Sequence, residues 1–366
     1  MMASDVARKQ MPGQPVGPAA RRSPDPRRGS LDRLHGRGSL RQARRILPIV
    51  FAETSGGLSE DYTTEMQEKM GGSLTYEHDR GMNYTRILDG TRSHPGLIVG
   101  SCLQTPEDAE RLRNDEKVRA VLCLQQDKDM AYFDLDIMPV LGGCEAVGID
   151  HFRSRVNDFD PHDLRLRLPD AAAALERAAR LCGPGESVYV HCTAGLGRAP
   201  GVAIAYMYWV LGYGLMEAHG ILTSKRPCHP KLESIRLATC DMLLGSATTK
   251  VKIGIRAPVS AREVLVAGLD MGWDRTVSCV KENDRFVLER DLPGGRFQYK
   301  YIVDGRWTYN ADAPTLCDNG NNNNYLDVVT GDDHERGVRS RVLSTEAELL
   351  LQEREIILRS IADAYL

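Results

Sequence analysis

Ten residues constrain this chain more than any other stretch: His191-Cys192-Thr193-Ala194-Gly195-Leu196-Gly197-Arg198-Ala199-Pro200. The apolar run Ser187-Val188-Tyr189-Val190 reads as a buried strand entering this segment, and Arg198 to Leu211 reads as a core helix leaving it. A strand, a turn containing glycine and a helix N-terminus together form a concave ring of backbone N–H groups. Such a ring, at the positive end of a helix dipole, holds a phosphate dianion. Thr193, Ala194, Gly195, Leu196 and Gly197 supply the ring. Arg198 adds a planar guanidinium that grips two phosphate oxygens at once. Cys192 stands where the positive field favours a thiolate, so it is the candidate nucleophile. A chance Cys and Arg at this spacing would not also carry two interior glycines and matching strand and helix flanks.

A sulfur nucleophile working on a phosphate monoester also needs an acid to protonate the leaving alkoxide, and later a base toward water. Arg155-Val156-Asn157-Asp158-Phe159-Asp160 precedes the thiol on an expected surface loop, with Asp158 lying 34 positions before Cys192. Asp160 and Asp163 compete with Asp158 for this role. An Asp before a proline such as Pro161 is often a turn or helix cap. The reaction calls for no metal and no cofactor.

The net charge of −3 hides an asymmetry: residues 1–50 carry eleven Arg or Lys against three Asp, a surplus of +8, while the remainder is −11. An Arg-rich, acid-poor N-terminus punctuated by Pro, Gly and Ser has the character of an organelle transit peptide, with a basic tail as the alternative. No run is long and apolar enough to span a bilayer. The nine cysteines stand singly with no CxxC pair, which supports neither a zinc site nor a secreted disulfide framework.

Residues 1–60 carry no ordered pattern, and 61–245 alternate strands with helices, as an α/β layered domain does. Strands are expected at Met82–Ile87, Leu97–Ser101 and Val118–Leu124. Helices are expected from Pro106, over Leu168–Leu181, Leu215–Ser224 and Pro230–Leu244. After Gly245 the character changes. Runs at Lys250–Arg256, Glu263–Ala267, Arg285–Arg290 and Phe297–Val303 alternate with period two between Gly, Pro and Asp turns, predicting an antiparallel sandwich over 246–331. Trp273 and Trp307, two of only three tryptophans, fall near loops there, with Lys300 and the Asn321–Asn324 run close by. Aromatic rings stack on the C–H faces of sugars, so this grouping points to carbohydrate. A terminal helix is expected within 340–366. Thr345 and Glu348 have capping-box spacing, and Leu350, Ile357, Leu358, Ile361 and Tyr365 share a face interrupted by Arg354.

From about Tyr62 onward the chain resembles the plant and algal starch-excess-type glucan phosphatases. The resemblance rests on Gly81-Met82-Asn83-Tyr84-Thr85, Cys123-Leu124-Gln125-Gln126-Asp127, His191 to Pro200, Ser224-Lys225-Arg226 and Tyr299 to Trp307. It implies an α/β dual-specificity phosphatase domain, a C-terminal all-β, immunoglobulin-like carbohydrate-binding module of family 48, and a C-terminal helix docked on the phosphatase domain. It also implies release of phosphate from C6 and C3 of amylopectin glucosyl units in the plastid stroma at starch granules. The alternative is a dual-specificity protein phosphatase anchored to glucan by its module. By the matching motifs Cys192, Arg198 and Asp158 are nucleophile, clamp and acid. Tyr84, Tyr132, Phe133, Phe159 and Lys231 line a glucan channel, which Trp273, Lys300, Trp307 and Asn324 extend. Cys123 matches the family's redox partner for Cys192; an inert core thiol is the other reading. His229 stands where the plant pattern has Phe. A monomer is expected, with phosphorylated glucan as its partner and neither nucleic acid nor membrane.

Overall fold

A computed structural model describes residues 55–364, apart from 246, 274, 319–320 and 345–347. The transit-peptide reading, Thr345 and Tyr365 therefore lie outside the described residues. One element was not anticipated. Residues 55–60, read as part of the unpatterned tail, open a helix, α1 (Ser55–Met70). Hydrogen bonds strap it to the following segment, from His78 N to Ser59 Oγ, Tyr76 N to Thr63 Oγ1, and Gln67 Nε2 to the Leu74 carbonyl.

The first sheet contains β1 (Tyr84–Leu88), β2 (Gly96–Gly100), β3 (Val118–Cys123), β4 (Asp150–Arg153) and β5 (Ser187–His191) in the order β1-β2-β5-β3-β4. Only the edge pair β1/β2 is antiparallel; β2/β5, β5/β3 and β3/β4 are parallel. Central parallel strands must be apolar on both faces, and every residue of β2 and β5 is buried. Helices α2 (Pro106–Glu116), α3 (Asp127–Tyr132) and α4 (Ile137–Ala146) lie between the first strands. The larger core forms around α5 (Pro161–Arg180), α6 (Arg198–Tyr206, continuing as a π turn through Leu211), α7 (Leu215–Lys225) and α8 (Leu232–Leu244). Helix α5 begins seven residues before the expected Leu168. Asp160 caps it, its Oδ1 accepting from His162 N and Asp163 N, and Pro161 takes the first position, where a missing N–H costs nothing.

The sandwich has two antiparallel sheets. One is β6 (Thr248–Ile255), β10 (Arg285–Pro293) and β9 (Val280–Glu282). The other runs β13 (Thr315–Asp318), β14 (Asn321–Val328), β11 (Gly295–Val303), β7 (Val264–Gly268) and β8 (Thr276–Ser278), with β12 (Arg306–Thr308) paired to β11. Its β10–β11 corner meets the phosphatase helices. Arg165 of α5, 2% exposed, forks onto Asp241 at 2.6 and 2.7 Å and donates to the Gly294 carbonyl at 3.1 Å.

In place of one terminal helix the described residues form two, α9 (Asp333–Leu343) and α10 (Leu351–Asp363). Ile357 and Ile361 bury into the phosphatase core, whereas Leu350 and Leu358 face solvent, so the expected stripe is narrower than read. Arg354, which interrupts that stripe, donates to the Val210 carbonyl of the π turn at 2.8 Å.

Candidate active site

The signature turn sits between β5 and α6, as strand-then-helix patterning requires, and its shape depends on Gly195. That residue has φ +70°, and a Cβ there would lie 2.3 Å from the Gly100 carbonyl carbon. Only glycine takes this conformation at so close an approach. Arg226, buried just after α7, reaches under the turn. Its Nε donates to the Gly195 carbonyl at 2.8 Å and one terminal nitrogen to the Ala194 carbonyl at 3.1 Å and Asn83 Oδ1 at 2.7 Å. Holding the carbonyls outward leaves the turn's N–H groups for an anion. The Ser224-Lys225-Arg226 motif was visible in the sequence, but nothing there said that Arg226 braces a turn thirty residues away.

Arg198, 3% exposed, is held by four partners: Asp129 Oδ2 at 2.5 Å, Asp158 Oδ2 at 2.7 Å, the Val156 carbonyl at 3.0 Å and Thr193 Oγ1 at 3.1 Å. Burial opposes its charge, yet Asp158, Asp129 and Cys192 together hold the guanidinium pKa well above the ordinary arginine value. Its Nε is buried with no partner among the described residues. An unsatisfied buried donor is costly, and a bound phosphate oxygen would satisfy it. Gln125, two residues past the end of β3, braces the turn, donating to Thr193 Oγ1 at 3.2 Å. Burial pushes the His191 imidazole down to about 3, so it stays neutral beside the nucleophile.

Of the three competing carboxylates, only Asp158 reaches the turn. Asp160 is spent on the α5 cap, and Asp163 Oδ2 accepts from Asn157 N at 2.7 Å. Asp158 Oδ2 also accepts from the Tyr62 hydroxyl at 2.7 Å. Burial and the Asp158 carboxylate raise the Tyr62 pKa well above the usual phenol range, so it remains a donor. Tyr62 comes from α1 and was not among the expected site residues. Its ring packs against Phe133, Phe159 and Tyr132 with centroids 5.5, 5.7 and 6.2 Å away. Met70, from the same helix, approaches Gly197 of the turn. Cys192 itself is buried, 3% exposed.

A cleft of about 1610 Å³ runs from Thr193 of the turn past Asp158, Tyr132, Phe133, Phe159 and Lys231 to Trp273, Lys300 and Trp307 of the sandwich. Two expected residues are elsewhere. Tyr84 packs edge-on against Tyr189 with centroids 6.2 Å apart, Arg111 over its ring, and does not line the cleft. Asn324 is fully buried, its amide bracing the backbone of Asn310 and Pro314. In a strand, side chains alternate faces, so Asn321 and Asn323, not Asn324, reach the cleft. Cys123 and Cys192 are both free and buried.

Two families match separate stretches: the dual specificity phosphatase catalytic domain over residues 117–235, and the glycogen recognition site of AMP-activated protein kinase over 251–334. Phosphoglucan phosphatase DSP4, amyloplastic, of Castanea sativa is 41% identical over 319 residues, covering 84% of this chain and 82% of that protein. Phosphoglucan phosphatase LSF1, chloroplastic, of Arabidopsis thaliana is 29% identical, covering 75% of this chain and 46% of that protein. Laforin of Mus musculus is 25% identical over 45% of this chain and 51% of its own length.

Proposed function

From the premise that the chain belongs to the phosphoglucan phosphatase family, we propose that it is a cysteine-dependent phosphatase that removes phosphate monoesters from C6 and C3 of the glucosyl units of a starch-type glucan. The observation that carries this is the single cleft joining the signature turn to Trp273, Lys300 and Trp307.

The phosphate seats in the ring of N–H groups, and its oxygens take up the free Arg198 Nε. Cys192 thiolate attacks phosphorus, the P–O bond to the sugar breaks, and Asp158 gives its proton to the departing oxygen. Asp158 then accepts a proton from water as that water attacks the cysteinyl-phosphate, freeing phosphate and restoring the thiolate. Preorganised donors around the transferring phosphoryl group supply most of the stabilisation. In this structure Asp158 accepts from Arg198 and Tyr62, so to act as the acid it must release the guanidinium and take up a proton from solvent, the proton it then passes to the sugar oxygen and regains from the attacking water. The sandwich keeps the polymer near the turn, an effective-concentration gain.

A plastid location follows from relatives named amyloplastic and chloroplastic, with the stroma at starch granules as its finer form. We take the glucan as its partner and a monomer as its working form. No helix among the described residues is long and apolar enough to cross a membrane. A Cys123–Cys192 disulfide would switch the enzyme off. If Cys123→Ser leaves oxidative inactivation unchanged, that switch is excluded.

The test is phosphate release from solubilised amylopectin labelled separately at each position, set beside a phosphopeptide. Preferred turnover of glucan supports the reading; preferred turnover of peptide makes this a protein phosphatase anchored on glucan. Cys192→Ser should lower release by on the order of 10⁴-fold or more while glucan binding persists.

A further inference from the structure

The parallel register of the first sheet gathers three metal-ligating side chains that lie far apart in the sequence. Cys123 of β3 sits opposite His191 of β5, and His151 of β4 sits opposite Val121, two residues before Cys123. Alternation along strands therefore puts all three on one face. One ligand atom from each lies within 4.8 Å of the other two. We propose that Cys123, His151 and His191 form a binding site for a thiophilic d¹⁰ cation, Zn²⁺ being its natural probe.

The His191 ring supplies the second observation. Its Nδ1 faces the Cys192 carbonyl at 3.1 Å. A carbonyl only accepts, so Nδ1 carries the proton and Nε2 presents a bare lone pair. That Nε2 is buried and has no partner among the described residues. A metal-bound histidine commonly fixes its other nitrogen on a backbone carbonyl in this way. The Cys123 thiol has a long contact, 3.9 Å to Gln125 Oε1, and also interacts with the Gln125 backbone and the Arg153 guanidinium. His151 also lines a surface pocket of about 320 Å³ together with Glu145 and Asp150. The outer member of the cluster is thus reachable from solvent, while Cys123 and His191 lie behind it, buried.

One thiolate and two imidazoles suit a tetrahedral ion of this class, whose ligand atoms stand roughly 3.5 Å apart, so closure needs a shift of about 1 Å. Arg153, next to the cluster, is partly neutralised by Asp127 at 2.9 Å. On binding, the Cys123 S–H bond breaks, its proton leaves to solvent and a sulfur–metal bond forms; no oxidant or reductant is involved. The ion would hold His191, and through its carbonyl contact would steady the residue that carries the nucleophile. It would also keep Cys123 out of any disulfide.

The test uses the full chain, reduced with a phosphine and stripped of metal. Zn²⁺ is titrated against a chromogenic chelator, and Co²⁺ reports geometry by its visible spectrum. One equivalent should bind, with tetrahedral cobalt bands and a thiolate-to-cobalt charge-transfer band. His151→Gln should weaken binding at least roughly tenfold, Cys123→Ser should abolish the charge-transfer band, and Cys192→Ser should change neither. Absence of stoichiometric binding, indifference to His151→Gln, or loss in Cys192→Ser overturns the site. His151→Gln, half-buried at an edge strand, keeps the test open should Cys123→Ser fail to fold.

Discussion

The two ends of the long cleft are built on opposite principles. At the signature turn the charged side chains are buried or half-buried and held by several partners: Arg198 has four, and Asp158 is gripped from two sides. At the sandwich end Trp307 is 52% exposed, standing on the short β12 strand. Transferring a phosphoryl group requires donors already aimed at developing charge in a site that excludes water. Holding a flexible polymer requires only exposed, sequence-tolerant surface on which rings can stack. One end trades accessibility for preorganisation, and the other does the reverse.

The sharpest way to break this contrast is at the turn. Gly195→Ala should lower turnover by on the order of 10²-fold, because its Cβ would meet the Gly100 backbone and push the N–H ring out of shape. The loss should be equal on phosphoglucan and on a small aryl phosphate, with melting temperature measured alongside. A loss confined to glucan would mean that the turn is not the shared chemical centre.

The same contrast decides what could be read from the sequence. The turn is local, ten consecutive residues between a strand and a helix, and its pattern announces both fold and chemistry. The sandwich was legible because period-two alternation is also local. What escaped was set by distant packing. Helix α1 has little apolar periodicity of its own and is held by contacts to residues 74–78 and by Tyr62 in the aromatic roof. Arg226 and Asp129 act on the turn from afar in sequence; the Ser224-Lys225-Arg226 motif could be seen, but not the turn that Arg226 braces. Tyr84 belonged to a matched motif, yet a strand edge turned its ring to the far side. The Cys123, His151 and His191 grouping lacks any metal-binding spacing because three strands contribute one residue each.

At the exposed end the expected effects are smaller and selective. Trp307→Ala should reduce activity on solubilised starch about tenfold, equivalent to ~1.4 kcal/mol, since a stacking platform is lost and the fold is not. Activity on an aryl phosphate should stay at the wild-type value, because Trp307 has no part in the turn. Equal losses on both substrates would count against a sandwich that merely holds the polymer.

The finest distinction lies between adjacent asparagines. Asn324 is fully buried, with Oδ1 accepting from Asn310 N and Nδ2 donating to the Asn310 carbonyl, each at 2.7 Å. Asn324→Ala should therefore strand backbone groups and cost about 1–3 kcal/mol of stability, seen as a lower melting temperature. Asn323, whose amide donates to Gln298 Oε1 at 2.9 Å, lines the cleft. Asn323→Ala, which loses the one bond to Gln298, should lower melting less than Asn324→Ala, by about 1 kcal/mol of stability, and weaken glucan binding severalfold. If calorimetry on starch gave the opposite assignment, with Asn324 governing affinity and Asn323 governing melting, the two side chains would have to exchange faces. Strand β14 would then be out of register by one residue, and the pairing of Tyr299 with Asn324 could not stand.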